Sequence, residues 1–287
     1  MSVTTIFCAD PLQNRRIDPH YAAEARTVRD LGGVTAIIDH DALLRGDAAT
    51  AVRRVREGTG AAWYRGWMIP GERYAELAAA LDRRGTQLVT GPTAYRRAHE
   101  LPGWYDTFAS VTPPSVWSRG APDDVGALVA PLGAGPGIVK DYVKSRKHEW
   151  HDACYLPELT DVDAVRRVIA TFVERQAEFL AGGVVVRRFE SFAEGESRVW
   201  WLDGDPVAIS PHPDTPSLDP RPDLAHIRPL VRAFPARFVT TDLARRVDGV
   251  WRLVEVGDGQ VSDWPAGSDH LTLMSRLMTA PTGRAGS

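Results

Sequence analysis

Short apolar runs alternate with amphipathic stretches over the first hundred residues, and this alternation restricts the fold more than any other feature of the chain. Strands are predicted at 5–9, 34–38, 61–67 and 87–90. Helices are predicted between them, at 20–31, 47–57 and 72–84. Alternation at this spacing is typical of a parallel sheet covered by helices. No Gly-x-Gly-x-x-Gly follows the first strand, so a dinucleotide-binding fingerprint is absent.

Beyond residue 111 the pattern changes to strands that come in pairs joined by tight turns. Strands at 198–202 and 207–210 form a predicted hairpin through Asp203-Gly204, and strands at 238–247 and 250–256 form a second one through Asp248-Gly249. A long helix is predicted at 161–180. The fold class is therefore α/β followed by α+β. We expect one domain at 1–105, a second at 106–278 and a flexible tail at 279–287.

Composition and charge argue against several function classes. The net charge of −3 provides no overall basic field, so no nucleic-acid partner is expected. No run of 18 apolar residues predicts a membrane span, and the first residues do not resemble a signal peptide. The two cysteines, Cys8 and Cys154, are typical of a reduced, cytoplasmic protein. The oligomeric state is not indicated.

Lysine is almost absent from the chain. Of the 34 basic residues only Lys140, Lys144 and Lys147 are lysines, and they lie within eight residues of one another. Lysine is a compact point charge and arginine a planar fork, so the two are not interchangeable. We therefore take 140–147 as the leading functional candidate. The glycines at 133–137 precede a predicted strand at 138–143, which favours a connecting loop over a phosphate-binding loop.

The second hairpin brings acidic residues together. If Asp248-Gly249 is a two-residue turn, Val247 pairs with Val250, and Asp242 then faces Glu255. Like charges in direct opposition destabilise a sheet, so we expect either one protonated carboxyl group or a cation between the two.

A third acidic residue, Asp258, follows three positions beyond Glu255. Three oxygen ligands suit Mg²⁺, which binds a few carboxylates together with phosphate oxygens and water. The alternative is a solvated face on which Arg245, Arg246 and Arg252 neutralise the acids.

Several other polar residues are candidates for binding. Arg187 and Arg188 must point to opposite faces of one strand, so one of them points inward, where phosphate is a natural partner. Arg198 begins a further strand. The alternative for each arginine is a surface ion pair. His148, His151 and Cys154 could share a helix face, but no fourth zinc ligand is nearby, so we expect packing or substrate-side roles.

The order of these segments resembles the ATP-grasp superfamily over residues 110–275, in particular the bacterial clade described by two arginines and one lysine. The segments that carry the resemblance are Gly137-Ile-Val-Lys140-Asp-Tyr-Val-Lys144-Ser-Arg-Lys147, Val185-Val-Arg187-Arg-Phe-Glu190, Glu196-Ser-Arg198-Val-Trp, Thr241-Asp242-Leu-Ala and Leu253-Val-Glu255-Val-Gly-Asp258. The resemblance implies an ATP-grasp fold after a small Rossmann-like α/β domain.

The resemblance also implies roles for individual residues. Lys140 contacts the nucleotide phosphates, Lys144 and Lys147 belong to a mobile loop that covers them, and Arg187 and Arg198 are the two arginines. Phe189 and Glu190 lie near the hinge that holds adenine and ribose. Asp242, Glu255 and Asp258 are the Mg²⁺ ligands, with Asp258 in the role that an Asn has in many family members, because Gly257 stands at that position.

The implied activity is ATP- and Mg²⁺-dependent ligation of a carboxylate to an amine through an acyl phosphate. The substrates are not indicated. Arg65 and the proline-rich stretch 206–222, predicted to be a long loop or lid, are candidates to face them. One alternative is a lysine that carries a nucleotide covalently, although Lys140-Asp-Tyr-Val lacks the Lys-x-Asp-Gly pattern. Another alternative is a nucleotide-binding protein without turnover.

Overall fold

The first sheet is built by the first ninety residues. The computed structural model describes residues 3–264 and 269–281. The strands of this sheet are β1 (Thr4–Cys8), β2 (Val34–Ile38), β3 (Gly60–Arg65) and β4 (Thr86–Leu88). Helices alternate with them: α1 (Ala22–Asp30), α2 (His40–Leu44), α3 (Ala48–Val52) and α4 (Gly71–Asp82). All strands are parallel, in the order β2-β1-β3-β4, so the predicted parallel α/β arrangement is confirmed.

Two helices that the periodicity did not predict follow this sheet, α5 (Pro92–His99) and α6 (Leu101–Phe108). Each has a proline in its first turn, where the missing N–H costs nothing. The domain boundary predicted near residue 105 falls inside α6. A separate domain at 1–105 therefore stays a prediction.

The rest of the chain forms two antiparallel sheets. The second sheet has the order β5-β8-β6-β7 and the third the order β10-β9-β11-β12. Strands of the second sheet are β5 (Ser115–Trp117), β6 (Gly137–Asp141), β7 (Tyr155–Leu156) and β8 (Val184–Arg188). Those of the third are β9 (Phe192–Leu202), β10 (Asp205–Pro211), β11 (Phe238–Arg246) and β12 (Trp251–Asp258). The helices are α7 (Val125–Val129), α8 (Trp150–Ala153), α9 (Val162–Gln176), α10 (Arg228–Ala233) and α11 (His270–Thr279).

The proline-rich stretch is only partly a loop. Residues 205–211 form the edge strand β10, joined to β9 through Asp203 and Gly204, which both have positive φ. An edge strand tolerates proline because one side of it needs no ladder hydrogen bonds, and the register shifts after Pro206. The prediction that 206–222 is too rich in proline for a regular element is therefore wrong for its first six residues.

The hairpin β11–β12 confirms that Asp242 faces Glu255, although its turn differs from the predicted one. The loop has three residues, since Arg246 donates its N–H to the Val250 carbonyl and Gly249 has φ of 93°. This loop moves the register by one residue, and a bulge between Asp242 and Leu243 moves it back. Two opposite offsets therefore restore the predicted pairing.

A shared apolar core joins the first sheet to the third. Phe7 and Trp63 of the first sheet pack in one cluster with Trp200, Phe238 and Leu273 of the third sheet and α11. Helix α11 continues to Thr279, so the predicted tail begins one residue late, and its residues 282–287 lie outside the described chain. Among the described residues no helix is both long and apolar enough to cross a membrane.

Candidate active site

The second and third sheets face each other across a cleft lined by charged side chains. In the ladder between β6 and β8, Ile138 pairs with Arg187 and Lys140 with Val185. Opposed residues point to the same face, so Lys140 and Arg187 both point into this cleft. Arg188 points to the other face and donates to the Leu132 carbonyl. The prediction that one of the two arginines points inward is confirmed.

Lys140 links the two sheets. Its Nζ lies 3.6 Å from Oε1 of Glu255 on β12 and donates to the Val143 carbonyl at 3.2 Å. The side chain is 8% exposed. Burial lowers the pKa of Lys140, and the charge of Glu255 opposes that effect. A buried ammonium group with one carboxylate partner has capacity left for an anionic ligand.

Arg187 is a buried cation whose direct partners are all neutral. It donates to the carbonyl of Val254 at 2.6 Å and to the hydroxyls of Ser115 and Thr112. Val254 is the residue that the bulge in β12 leaves unpaired. Burial lowers the pKa of Arg187 to about 10. A buried guanidinium without a carboxylate in contact favours binding of an anion here.

Asp242 is held by two basic side chains. Arg198 of β9 donates to both of its oxygens at 2.8 Å, and His212 Nε2 lies 3.4 Å from Oδ2. Burial alone would raise the pKa of Asp242, but the hydrogen bonds from Arg198 and His212 outweigh it and lower the pKa to about 2. Sequence reasoning missed His212, which lies 30 residues from Asp242 and follows no local pattern.

Protein cations balance the two facing acids. Asp242 pairs with Arg198, and Glu255, which is 41% exposed, pairs with Lys140. The expectation of a protonated carboxyl group or an intervening cation is therefore not required. The predicted alternative, neutralisation by nearby arginines, is also wrong. Arg246 bonds to Asp248 and Arg252 to Glu190, while Arg245 donates to the Gly249 carbonyl.

Asp258 does not join the other two acids. It pairs with Val239, three residues before Asp242, and therefore lies on the opposite face of the sheet. There it is fully buried, and its Oδ1 accepts from Gln260. In the described part of the chain no group of three or more His, Cys, Asp or Glu side chains is arranged to hold a metal. The predicted three-carboxylate Mg²⁺ site is thus reduced to Asp242 and Glu255.

Two carboxylates are still compatible with Mg²⁺. This ion binds to one or two protein carboxylates when substrate phosphates and water complete its shell. Asp242 and Glu255 face each other on the cleft side, opposite Lys140, so an ion there would meet phosphate groups held by the second sheet. The donor set fits a nucleotide-bound Mg²⁺ better than an ion held by protein alone.

Aromatic side chains line one end of the same cleft. Tyr155 pairs with Ile138, and Phe189 lies two residues beyond Arg187, so both point to the cleft face. Trp150 stacks on Tyr155 with ring centroids 5.1 Å apart, and the Phe189 ring is edge-on to both. All three rings are half-buried. Such a cluster can hold a flat base, and sequence reasoning identified only Phe189.

The remaining predicted nucleotide-binding residues differ in their accessibility. Lys144 and Lys147 are exposed in the segment after β6, where Asp141 accepts the N–H of Val143 at 2.7 Å. Glu190 is half-buried and accepts two hydrogen bonds of 2.9 Å from Arg252. Its predicted contact with a ribose stays a prediction.

Other candidates have structural roles. Arg65 is fully buried, pairs with Glu24 at 2.6 Å and donates to the carbonyls of Gly259, Gln260 and Ser262. Arg65 thus fixes the chain after β12 to the first sheet and does not face a substrate.

The three possible zinc ligands do not form a site. His148 and His151 are exposed, while Cys154 is buried. Burial raises the pKa of Cys154 to about 11.

Known proteins share this architecture. The model of an ATP-grasp domain family, family 3 of the clade named for two arginines and one lysine, matches residues 131–277, about half of the chain. A RimK domain ATP-grasp protein from Sphaerobacter thermophilus is 15% identical, with a TM-score of 0.61 and coverage of 97% of this chain and 100% of that one. The D-cycloserine synthetase DcsG is 18% identical, with a TM-score of 0.61 and coverage of 96% and 98%.

A third similar structure contains ligands. The ATP-grasp ligase PsnB, complexed with a minimal precursor, Mg and ADP, is 14% identical, with a TM-score of 0.55 and coverage of 96% of both chains. At these identities the likeness concerns the fold. No curated protein sequence matches the chain significantly.

Proposed function

Because the chain belongs to family 3 of the ATP-grasp clade named for two arginines and one lysine, we propose that it is an ATP- and Mg²⁺-dependent ligase that joins a carboxylate to an amine. One observation carries the proposal. Two buried cations on the second sheet, Lys140 and Arg187, face two carboxylates on the third sheet, Asp242 and Glu255. This arrangement suits a polyphosphate bound between the cations and a divalent ion.

The cleft offers complementary surfaces for the parts of a nucleotide. Lys140, Arg187 and Arg198 supply positive charge for the phosphates, and the exposed Lys144 and Lys147 can reach over them. The rings of Trp150, Tyr155 and Phe189 form a surface for the base. Base and phosphates would then occupy opposite ends of one face of the second sheet.

In the proposed reaction, a substrate carboxylate attacks the γ-phosphorus of ATP. The bond from that phosphorus to the β,γ-bridging oxygen breaks, which produces an acyl phosphate and ADP. The amine nitrogen then attacks the acyl carbon, the bond to the phosphate oxygen breaks, and the nitrogen loses a proton as the amide forms. All reactants of the first step are anionic, so catalysis requires mainly charge neutralisation and positioning.

This chain's residues supply that neutralisation. Lys140 and Arg187 bind phosphate oxygens from a desolvated strand face, where each charge acts more strongly than in water. Asp242 and Glu255 would hold Mg²⁺, which when bound neutralises the phosphate oxygens. Arg198 lies next to Asp242 and can bind the transferred phosphoryl group or the substrate carboxylate.

A second candidate function is nucleotide binding without turnover. The pairing of Asp242 with Arg198 and of Glu255 with Lys140 favours it, because the two facing acids are satisfied without a metal. Formation of ADP distinguishes the two functions.

The test compares neighbouring residues on opposite faces of one strand. Lys140→Met and Arg187→Met should each weaken binding of Mg²⁺ with AMPPNP at least about tenfold, because a hydrogen bond to a charged group contributes about 1.5–3 kcal/mol. Arg188→Met, on the other face, is the control and should bind as the wild type does. Calorimetry measures binding, and release of ADP with panels of carboxylates and amines measures turnover.

Unchanged affinity in Lys140→Met would refute the proposed nucleotide site. Tight binding by the wild type without ADP release on any panel would favour the second candidate.

A further inference from the structure

His212 begins a stretch of irregular chain, residues 212–220, which we name the proline segment. Its Nδ1 accepts the N–H of Asp214 at 3.1 Å, so the neutral ring carries its proton on Nε2. That nitrogen lies 3.4 Å from Asp242 Oδ2 and 3.1 Å from Arg198 Nη2. The ring therefore donates to Asp242, the carboxylate that Arg198 also binds.

Few other contacts hold the proline segment. His212 N–H donates to the Glu196 carbonyl at 2.8 Å, and Ser197 donates its hydroxyl to the Pro220 carbonyl. Within the segment, Thr215 and Leu218 each close one backbone turn. No side chain of the segment is fully buried. With so few buried contacts, the anchor at His212 is a large part of what positions this segment.

We propose, on the basis of the proposed function, that His212 is a positioning residue that couples occupancy of Asp242 to the placement of the proline segment. A divalent ion on Asp242 takes lone pairs that Arg198 and His212 use, and it repels the Arg198 guanidinium. His212 then loses its acceptor, and the segment is released from the cleft edge. Coupling is reciprocal, so a released segment makes Asp242 easier for the ion to reach.

Hydrogen exchange of the proline segment tests this coupling in the full chain. Calorimetry first establishes whether Mg²⁺ with AMPPNP binds. In the wild type the amides of His212, Thr215 and Leu218 should exchange roughly fivefold faster or more with this ligand, since one hydrogen bond to a charged group is lost. In His212→Ala they should exchange fast with and without it. In His212→Gln, whose amide can still donate, the ligand dependence should be partly restored.

The Mg²⁺ requirement gives a second readout that a purely structural role would not change. His212→Ala should reach half-saturation of AMPPNP binding at about fivefold lower Mg²⁺, because no anchor contact has to be broken. His226→Ala, an exposed histidine in the same connection, is the control and should match the wild type.

Three results would overturn the inference. Binding of the ligand with unchanged exchange in the wild type would refute the coupling and leave the proposed function intact. An unchanged Mg²⁺ requirement in His212→Ala would do the same. Absence of any Mg²⁺–AMPPNP binding would refute the proposed function and the coupling together.

Discussion

Asp258 is a buried carboxyl group whose replacement should stabilise the protein. Its Oδ1 accepts from the backbone and side chain of Gln260, while its Oδ2 has no hydrogen-bond partner. Gln260 in turn donates to Tyr74 of α4, so Asp258 lies where the third sheet meets the first. Burial raises the pKa of Asp258 from 3.8 to about 7.

The size and sign of the effect follow from this shift. A pKa raised in the folded state means that the folded protein binds the proton more tightly than the unfolded chain does. The free energy of unfolding therefore falls as pH rises from about 4 to about 7. Three pKa units correspond to about 4 kcal/mol at 1.36 kcal/mol per unit. Asp258→Asn cannot ionise, so it should match the wild type near pH 4 and exceed it by up to about 4 kcal/mol above pH 7.

Urea unfolding at steps from pH 4.5 to pH 8 measures this difference. The gap between Asp258→Asn and the wild type should widen with pH, whereas the exposed Asp123→Asn should show no pH-dependent gap. A gap that stays constant across the range, or a variant less stable than the wild type at pH 8, would refute the reasoning.

Two further predictions concern the buried ion pair and the aromatic cluster. Arg65→Met should lower the free energy of unfolding by about 3–5 kcal/mol in urea titrations, because it leaves Glu24 charged and buried; adding Glu24→Gln should recover most of the loss. Tyr155→Ala should weaken AMPPNP binding about fivefold or more in calorimetry, since stacking of a base on an aromatic ring contributes about 1–3 kcal/mol. Binding of inorganic triphosphate should not change in Tyr155→Ala, and an equal loss for both ligands would contradict a base-stacking role.

Local patterns predicted the elements well. The alternation of strands and helices identified the parallel sheet, because periods of 2 and 3.6 residues are visible over a few residues. The helices α5 and α6 escaped because each is only eight residues long. The facing of Asp242 and Glu255 was predicted from a turn that does not exist, and it is right because the three-residue loop and the bulge compensate each other.

Side-chain direction and long-range contacts account for most of the rest. Asp258 is an odd number of positions from Glu255, and an unbroken strand sends such residues to opposite faces. The partners of Asp242 and Arg65 include His212 and Glu24, which are 30 and 41 residues away along the chain. Only the fold brings such pairs together, so no spacing rule could have identified them.

The confinement of every lysine to one short segment also makes that segment chemically addressable. A protease specific for lysine can cut this chain at only three peptide bonds, after Lys140, Lys144 and Lys147. Lys140 is buried, while the other two are exposed beside the cleft. Cleavage therefore reports on the accessibility of one edge of the candidate active site and splits the chain near its middle. Amine-reactive acylation distinguishes the same residues, so the state of this edge can be followed in the unmodified sequence without an introduced label.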